Sequence, residues 1–133
     1  AAPVYLRTHG WPQSLPELRS LQAVRFRFPT TGTLQPWSLP GVNGDAGAAL
    51  ATAMTCNNME ALLAAAIGAM GVAWMPDFLA AEALADGRLQ QVLPMLERQH
   101  GQFSLLWPGN RHPSARLRVF IDYTAEHLFA RPR

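Results

Sequence analysis

The residue of this chain best suited to nucleophilic chemistry is its single cysteine, Cys56. It stands beside the predicted start of a helix, where the helix dipole can lower the pKa of a thiol. A thiolate there could attack a substrate, but the sequence offers no matched base, and no second cysteine with which to form a redox disulfide. Because free cysteine is among the most buried residue types, we interpret Cys56 as an inert packing residue.

Histidines and carboxylates are the other groups that could hold a metal or transfer protons. The histidines lie far apart, with no second metal ligand at the spacing that a helix or turn brings together. Four of the carboxylates fall at helix starts, helix faces and loops, where capping and solvated charges normally lie. Nucleophile-elbow, phosphate-loop and dinucleotide motifs are absent from the sequence. We predict no metal site, no cofactor and no enzyme activity. The residues considered are His9, His100, His112, His127, Asp77, Glu82, Asp86 and Glu97.

Polar or turn-forming residues follow three predicted strands, and these are the candidate binding residues. In open α/β sheets, ligands sit in the crevice beyond the carboxyl ends of the strands, and helix starts there offer free N–H groups to anions. Ordinary capping and turn formation is an equally good interpretation of the two asparagines. The candidates are Pro29, Thr30, Thr31, Asn57, Asn58, Met75 and Pro76.

The elements that would position these residues alternate between strand and helix. In the segment 21–28, Val24, Phe26 and Phe28 alternate with Arg25 and Arg27, which predicts a half-buried strand with its arginines facing outward. Further strands are predicted at 35–39, 48–55, 72–75, 89–93 and 103–107. Helices are predicted at 15–21, from Asn57 or Asn58 to about Met70, from Asp77 to about Ala85, and from Ser114 onward. Short junctions between alternating elements indicate an α/β layer fold with a mostly parallel sheet.

Composition excludes several classes of function. The chain has 133 residues, of which 49% are hydrophobic and 15% charged, with eleven arginines, no lysine and a net charge of +2. The arginines are scattered, so the chain by itself is a poor candidate for binding DNA. No membrane span or signal peptide is visible, and one cysteine suits a reducing compartment, so we expect a cytoplasmic location. The start at Ala1 without a methionine suggests a processed chain or a piece of a longer one.

The order of these signals resembles the effector-binding domain of LysR-type transcriptional regulators. The resemblance covers nearly the whole chain, and its specificity lies in the order and spacing of the pieces. The matching stretches are Ala2–Leu6 with Gly10, Leu15–Leu18, Val24–Phe28 with Gly32 and Trp37, Asn57–Leu62, Gly68–Pro76, Asp86–Leu89, Val92–Pro94, Leu106–Pro108, Arg111–His112 and Leu117–Tyr123.

The resemblance implies a periplasmic-binding-protein type 2-like α/β fold with a small-molecule effector cleft between two subdomains. Residues 1–98 would form the second subdomain, and residues 99–133 the strand and helix that return to the first. Most of the first subdomain and the winged helix-turn-helix would lie outside this chain. This chain would therefore affect DNA binding only through that absent helix-turn-helix. The resemblance also implies a homo-oligomer, dimer or tetramer, and places the candidate residues above on one wall of the cleft.

Two other functions share some of these features. A periplasmic-type solute-binding protein of a transporter would have the same fold, but it would need an export signal. An enzyme with Cys56 as its nucleophile is the least favoured.

The last predicted helix carries an apolar stripe, formed by Leu117, Phe120, Ile121 and Leu128. We expect this stripe to dock on a partner chain, because the subdomain on which it usually packs is missing. No arginine lies within the candidate segments, so the charge of the ligand stays open.

Overall fold

The structure, a computed structural model, describes residues 1–96, 104–107 and 114–128. The chain divides into two compact units, residues 1–100 and 101–133. The predictions that rest on Glu97, His100, Phe103 and His112 lie outside the described residues, as does the boundary at 98/99.

The first unit alternates helices and strands. It contains α1 (Pro3–His9), α2 (Leu15–Leu18), β1 (Gln22–Phe26), a short 3-10 helix (Ala46–Ala49), β2 (Ala51–Cys56), α3 (Met59–Ile67), β3 (Val72–Ala73) and α4 (Asp77–Ala85). The second unit contains α5 (Ala115–His127). The predicted helix from Asp77 to Ala85 is confirmed at both ends.

The strands form a parallel sheet in the order β2-β1-β3, with β1 in the centre. Phe26 at the end of β1 is opposite Cys56 at the end of β2, and Val24 is opposite Ala73 at the end of β3. All three strands therefore end at the same edge, which we call the carboxyl edge.

Apolar side chains pack on both faces of this sheet. On one face, Val24 and Phe26 contact Leu62 and Ala65 of α3, and a neighbouring cluster of alanines with Leu89 joins α3 to α4. On the other face, α1 and the segment 34–50 cover the sheet. The buried residues of this second face include Tyr5, Leu6, Leu21, Ala23, Trp37, Leu50 and Val72. The first unit is thus a three-layer structure, in agreement with the predicted α/β layer fold with a mostly parallel sheet.

The prediction that the arginines of β1 face outward is wrong for Arg25, whose side chain is only 2% exposed. It lies on the second face, where its Nη2 donates to Asp45 Oδ2 at 2.5 Å and to the carbonyl of Gln35 at 3.1 Å. Its guanidinium also lies 5.6 Å from the ring centre of Trp37. The ion pair and the ring contact compensate for burying the charge. Arg27 is exposed, as predicted.

Two predicted strands in the first unit are not formed. In 35–39 the chain carries Pro36, which has no N–H for a ladder, and the N–H of Trp37 donates to Asp45 Oδ1 instead. In 89–93 the N–H of Leu89 donates to the carbonyl of Ala83 and not to a neighbouring strand, and Leu93 has a left-handed φ of 52°, which is not a strand conformation. Both segments bury apolar residues without joining the sheet. In 103–107, the described residues 104–107 are not in a strand.

The starts of two helices agree with the sequence. Asn58, rather than Asn57, is the N-cap of α3, and its side-chain oxygen accepts from the N–H of Ala61 at 2.9 Å. Ser114 caps α5 through an N–H donated by Leu117 at 3.3 Å. Helix α3 ends at Ile67, before the predicted end near Met70, and α2 ends at Leu18, before the predicted end at Leu21.

Candidate functional site

The sequence-predicted binding residues all follow strands that end at the carboxyl edge. Residues 29–31 come shortly after β1, residues 57–58 directly after β2, and residues 75–76 shortly after β3. Because the strands are parallel, the segments that follow them emerge at this one edge. The structure therefore groups the three segments by topology.

The segment after β1 is a tight turn. The N–H of Gly32 donates to the carbonyl of Phe28 at 2.8 Å, and the N–H of Phe28 donates to the carbonyl of Thr33 at 2.9 Å. Gly32 has a φ of 70°, which glycine adopts without the steric cost of a Cβ. Pro29, Thr30 and Thr31 are all exposed. Within the turn, Thr31 Oγ1 lies 2.8 Å from Thr33 Oγ1 and accepts from the N–H of Thr33 at 3.4 Å. The turn thus carries two exposed threonines, and the hydroxyl of Thr31 is already bonded to Thr33.

Arg27, for which strand alternation predicts an outer face, lies at this edge. Its backbone N–H donates to the carbonyl of Cys56 at 2.8 Å, and the residue forms an antiparallel bridge with Leu34. Its Nη1 donates to the carbonyl of Gly32 at 2.8 Å. The guanidinium therefore bends over the turn that carries the threonines. No sequence signal could show this bond, because alternation reports the face of a strand but not the direction of a long side chain.

The segment after β2 leads into α3. Asn57 and Asn58 are exposed, and the side-chain oxygen of Asn58 is engaged in its capping bond to Ala61. The capping interpretation of Asn58 is thus confirmed. Its amide nitrogen is still able to donate to a ligand.

The segment after β3 is partly buried. Met75 packs against the apolar clusters of α3 and α4, and Pro76 precedes the first turn of α4. Trp74, which the sequence analysis did not single out, stacks on Trp37 with ring centres 6.4 Å apart. Its partner lies in the segment 34–50, so only the three-dimensional fold identifies the pair.

Cys56 and the described histidines have structural contacts. Cys56 is half-buried against the α3 cluster, with its Sγ 3.5 Å from the carbonyl of Asn58. His9 and His127 each bond through Nδ1 to the carbonyl four residues earlier and stack on a tyrosine. Within residues 1–96, 104–107 and 114–128, no three His, Cys, Asp or Glu side chains converge as metal ligands.

One carboxylate is strongly engaged near the sheet. Asp45 is partly buried, which opposes its ionisation, but N–H donors from Trp37 and Gly47 and the charge of Arg25 outweigh that burial and lower its pKa. Asp45 thus ties the segment 34–50 to β1 as an anion. These bonds hold the segment 34–50 against the face of β1 that carries Arg25.

Comparison with known proteins identifies the family of this fold. The family model of the LysR substrate binding domain matches residues 1–129. The chain belongs to this family. It is 31% identical over 132 residues to the HTH-type transcriptional regulator CrgA of Neisseria meningitidis, covering 96% of this chain and 42% of that protein. It is 33% identical over 127 residues to the HTH-type transcriptional regulator YhjC of Escherichia coli, covering 94% of this chain and 42% of the relative.

Solved structures agree with the family assignment. The CrgA regulatory domain superposes with a TM-score of 0.68 at 28% identity, covering 96% of this chain and 62% of that one. The larger CrgA structure gives a TM-score of 0.69, with 97% of this chain and 43% of that chain covered. The chain thus spans less than half of the curated regulators that it matches.

These findings confirm the predicted fold class and the prediction of an effector-binding domain of LysR type. The alternative, a solute-binding protein of a transporter, is not favoured. The relatives named here are transcriptional regulators rather than enzymes. Among the described residues, none of the helices has the length and apolar character needed to cross a membrane.

Proposed function

We propose that this chain is the part of a LysR-type regulator that senses a small molecule, with the carboxyl edge of its sheet as one wall of the effector cleft. The wall consists of the segments that follow the three strands. Its proposed effector-binding residues are Pro29, Thr30, Thr31, Asn57, Asn58, Met75 and Pro76.

The single observation that carries this proposal is the shared edge of the three parallel strands. Ligands of open α/β sheets bind beyond the carboxyl ends of the strands, where loops are free to vary. In this chain that edge presents exposed hydroxyls at 30–31 and exposed amides at 57–58. The contacts to be expected are hydrogen bonds from these groups to a small polar ligand.

The division of the domain follows from the same proposal. Residues 1–98 form the second subdomain, and residues 99–133 supply a strand and a helix to the first subdomain. Residues 104–107, which are not in a strand in this structure, would become one by pairing with that subdomain. In support, the chain covers only 62% of the CrgA regulatory domain structure, so a substantial part of that domain has no counterpart here. None of the described residues of α5 is buried, which suits a helix whose packing partner lies in that part.

Regulation then works by a change in how the subunits are arranged, and no covalent bond is broken. The effector favours one arrangement of the subunits of a homo-oligomer, dimer or tetramer, and thereby changes how helix-turn-helix domains outside this chain meet DNA. The protein acts in the cytoplasm, without cofactor or metal.

Replacing Thr30 and Thr31 with valine tests the proposed wall. Valine keeps the shape of threonine but removes the hydroxyl, so the double variant at full natural length should bind an effector at least about tenfold more weakly, as expected for about 1.4 kcal/mol of lost hydrogen bonding. Effectors are first found by thermal shift and then measured by calorimetry. Thr52→Val is the matched control, since Thr52 is exposed near the amino end of β2. Equal affinity of the double variant and the control would remove the turn from the site.

A further inference from the structure

Arg27 differs from the other described cations of the first unit in its position. It directly follows β1 at the carboxyl edge and is exposed. Arg7 and Arg19, like Arg27, have no ion-pair partner in the part of the chain that the structure describes, but they lie in α1 and directly after α2, not at the end of a strand. The charge of Arg25 is matched by Asp45, and that of Arg88 by Asp86 and Glu82. Among the described residues, no carboxylate lies within 4.0 Å of Arg27.

The side chain of Arg27 is also held in place. Its backbone is fixed on one side by the bond to the carbonyl of Cys56 and on the other by the bridge to Leu34. One guanidinium nitrogen, Nη1, donates to the carbonyl of Gly32. Since a guanidinium carries five N–H donors, the others remain available for a ligand. A held guanidinium loses less conformational entropy on binding than a free one.

The acidic groups near this edge lie on other elements. Glu60 and Asp77 stand in the first turns of α3 and α4, and both helices pack on the face of Val24 and Phe26. Arg27 follows the opposite face, which it shares with Arg25 by strand alternation. The anionic side chains and Arg27 therefore occupy different faces of the sheet.

We propose that Arg27 is the anion-binding residue of the effector cleft, and that the effector carries a carboxylate. The guanidinium pairs with the planar carboxylate through parallel N–H donors, and the hydroxyls of Thr30 and Thr31 on the same turn donate further hydrogen bonds to it. This inference rests on the proposed function, because it places the ligand at the same edge.

The test uses the protein at its full natural length and modifies its arginines with phenylglyoxal, with or without a small carboxylate. The probes are acetate, succinate and benzoate, each compared with its neutral amide. Peptide mass spectrometry gives the modification rate of each arginine. Bound ligand slows modification by a factor of 1 + [L]/Kd, so a carboxylate at about four times its Kd protects Arg27 about fivefold. Arg7 and Arg19, both exposed, are the internal controls.

The expected result is that at least one carboxylate protects Arg27, while its amide does not and Arg7 and Arg19 are unaffected. Arg27→Gln retains an N–H donor for Gly32 but removes the charge, and should lower the affinity for that carboxylate by at least about tenfold, the loss expected for one charge-assisted bond. Arg19→Gln should leave the affinity unchanged. The inference is overturned if no carboxylate protects Arg27, if the amides protect it equally, or if Arg27→Gln binds as tightly as the unchanged protein.

Failure of this inference and failure of the proposed function give different results. If a neutral compound stabilises the protein and the Thr30→Val, Thr31→Val variant abolishes that effect, the proposed cleft wall is supported and the proposed carboxylate effector is refuted. If a carboxylate stabilises the protein and neither the threonine pair nor Arg27 changes its affinity, the ligand binds elsewhere and both proposals are wrong.

Discussion

Asp45→Asn is the substitution that best tests how the segment 34–50 is held to the sheet. One carboxylate oxygen accepts from the N–H groups of Trp37 and Gly47, at 2.8 and 2.9 Å, and the other pairs with Arg25. Asparagine can still accept the two backbone N–H groups, but it leaves the charge of Arg25 without a counterion. Arg25 is 2% exposed, so water cannot replace the lost partner.

The size of the effect follows from these contacts. Hydrogen bonds to charged groups contribute about 1.5–3 kcal/mol, and the carboxylate of Asp45 is one quarter exposed, so the loss for asparagine should be about 2 kcal/mol. Asp45→Ala also removes the acceptor of two backbone N–H groups, each worth about 1 kcal/mol, and should cost about 4 kcal/mol. Urea unfolding at pH 7 measures both losses.

A second aspartate–arginine pair on the same chain is the matched control. Asp86 contacts Arg88 at 2.7 Å, but both side chains are more than 40% exposed. Surface pairs contribute little, so Asp86→Asn should leave the unfolding midpoint nearly unchanged. If Asp45→Asn lowers the free energy of unfolding no more than Asp86→Asn does, the buried pair does not hold the segment 34–50.

Four further outcomes follow from the described structure. The pKa of Asp45 is lowered in the folded protein, so its ionised carboxylate stabilises the fold fully above the unfolded aspartate pKa of about 3.9. This stabilisation is lost as the pH falls through the lower pKa of the folded state. The difference in free energy of unfolding between the unchanged protein and Asp45→Asn should therefore vanish in acid titrations. Gly71→Ala would bring a Cβ to 2.5 Å from the carbonyl oxygen of Gln22, between β3 and β1, and should cost about 2 kcal/mol or more in urea unfolding. Asn58→Ala removes the N-cap of α3 and should cost about 1 kcal/mol by the same measurement. The chain of 133 residues alone should form a dimer through the apolar stripe of α5, and light scattering that shows only monomer at high concentration would contradict this.

The central strand and its neighbouring helices could be predicted from the sequence because local rules decide them. Val24 and Phe26 alternate with arginines, and the period of two alone places them on one buried face. Asn58 and Ser114 are capping residues at the starts of α3 and α5, and both caps form. These features depend on residues within a few positions of each other.

The burial of Arg25 could not be predicted in this way. Alternation assigns Arg25 to the face opposite Val24, but it does not say what covers that face. The cover is supplied by Trp37 and Asp45, 12 and 20 positions further along, through a segment that has no regular pattern. The stacking of Trp74 on Trp37 could not be predicted for the same reason, since the two residues are far apart in the sequence.

Arg25 of β1 and Arg27, which directly follows β1, have different surroundings. Arg25 and Arg27 share a face, but Asp45 neutralises only Arg25, and the tight turn at 28–33 leaves Arg27 open to solvent. Among the described residues of the first unit, the exposed cation at the carboxyl edge is therefore Arg27. Consequently, Asp45→Asn should lower stability without changing the carboxylate protection of Arg27, whereas Arg27→Gln should lower the affinity for the carboxylate without lowering stability. If both substitutions changed both properties, the two cations would form one coupled system, and the separation argued from their contacts would be wrong.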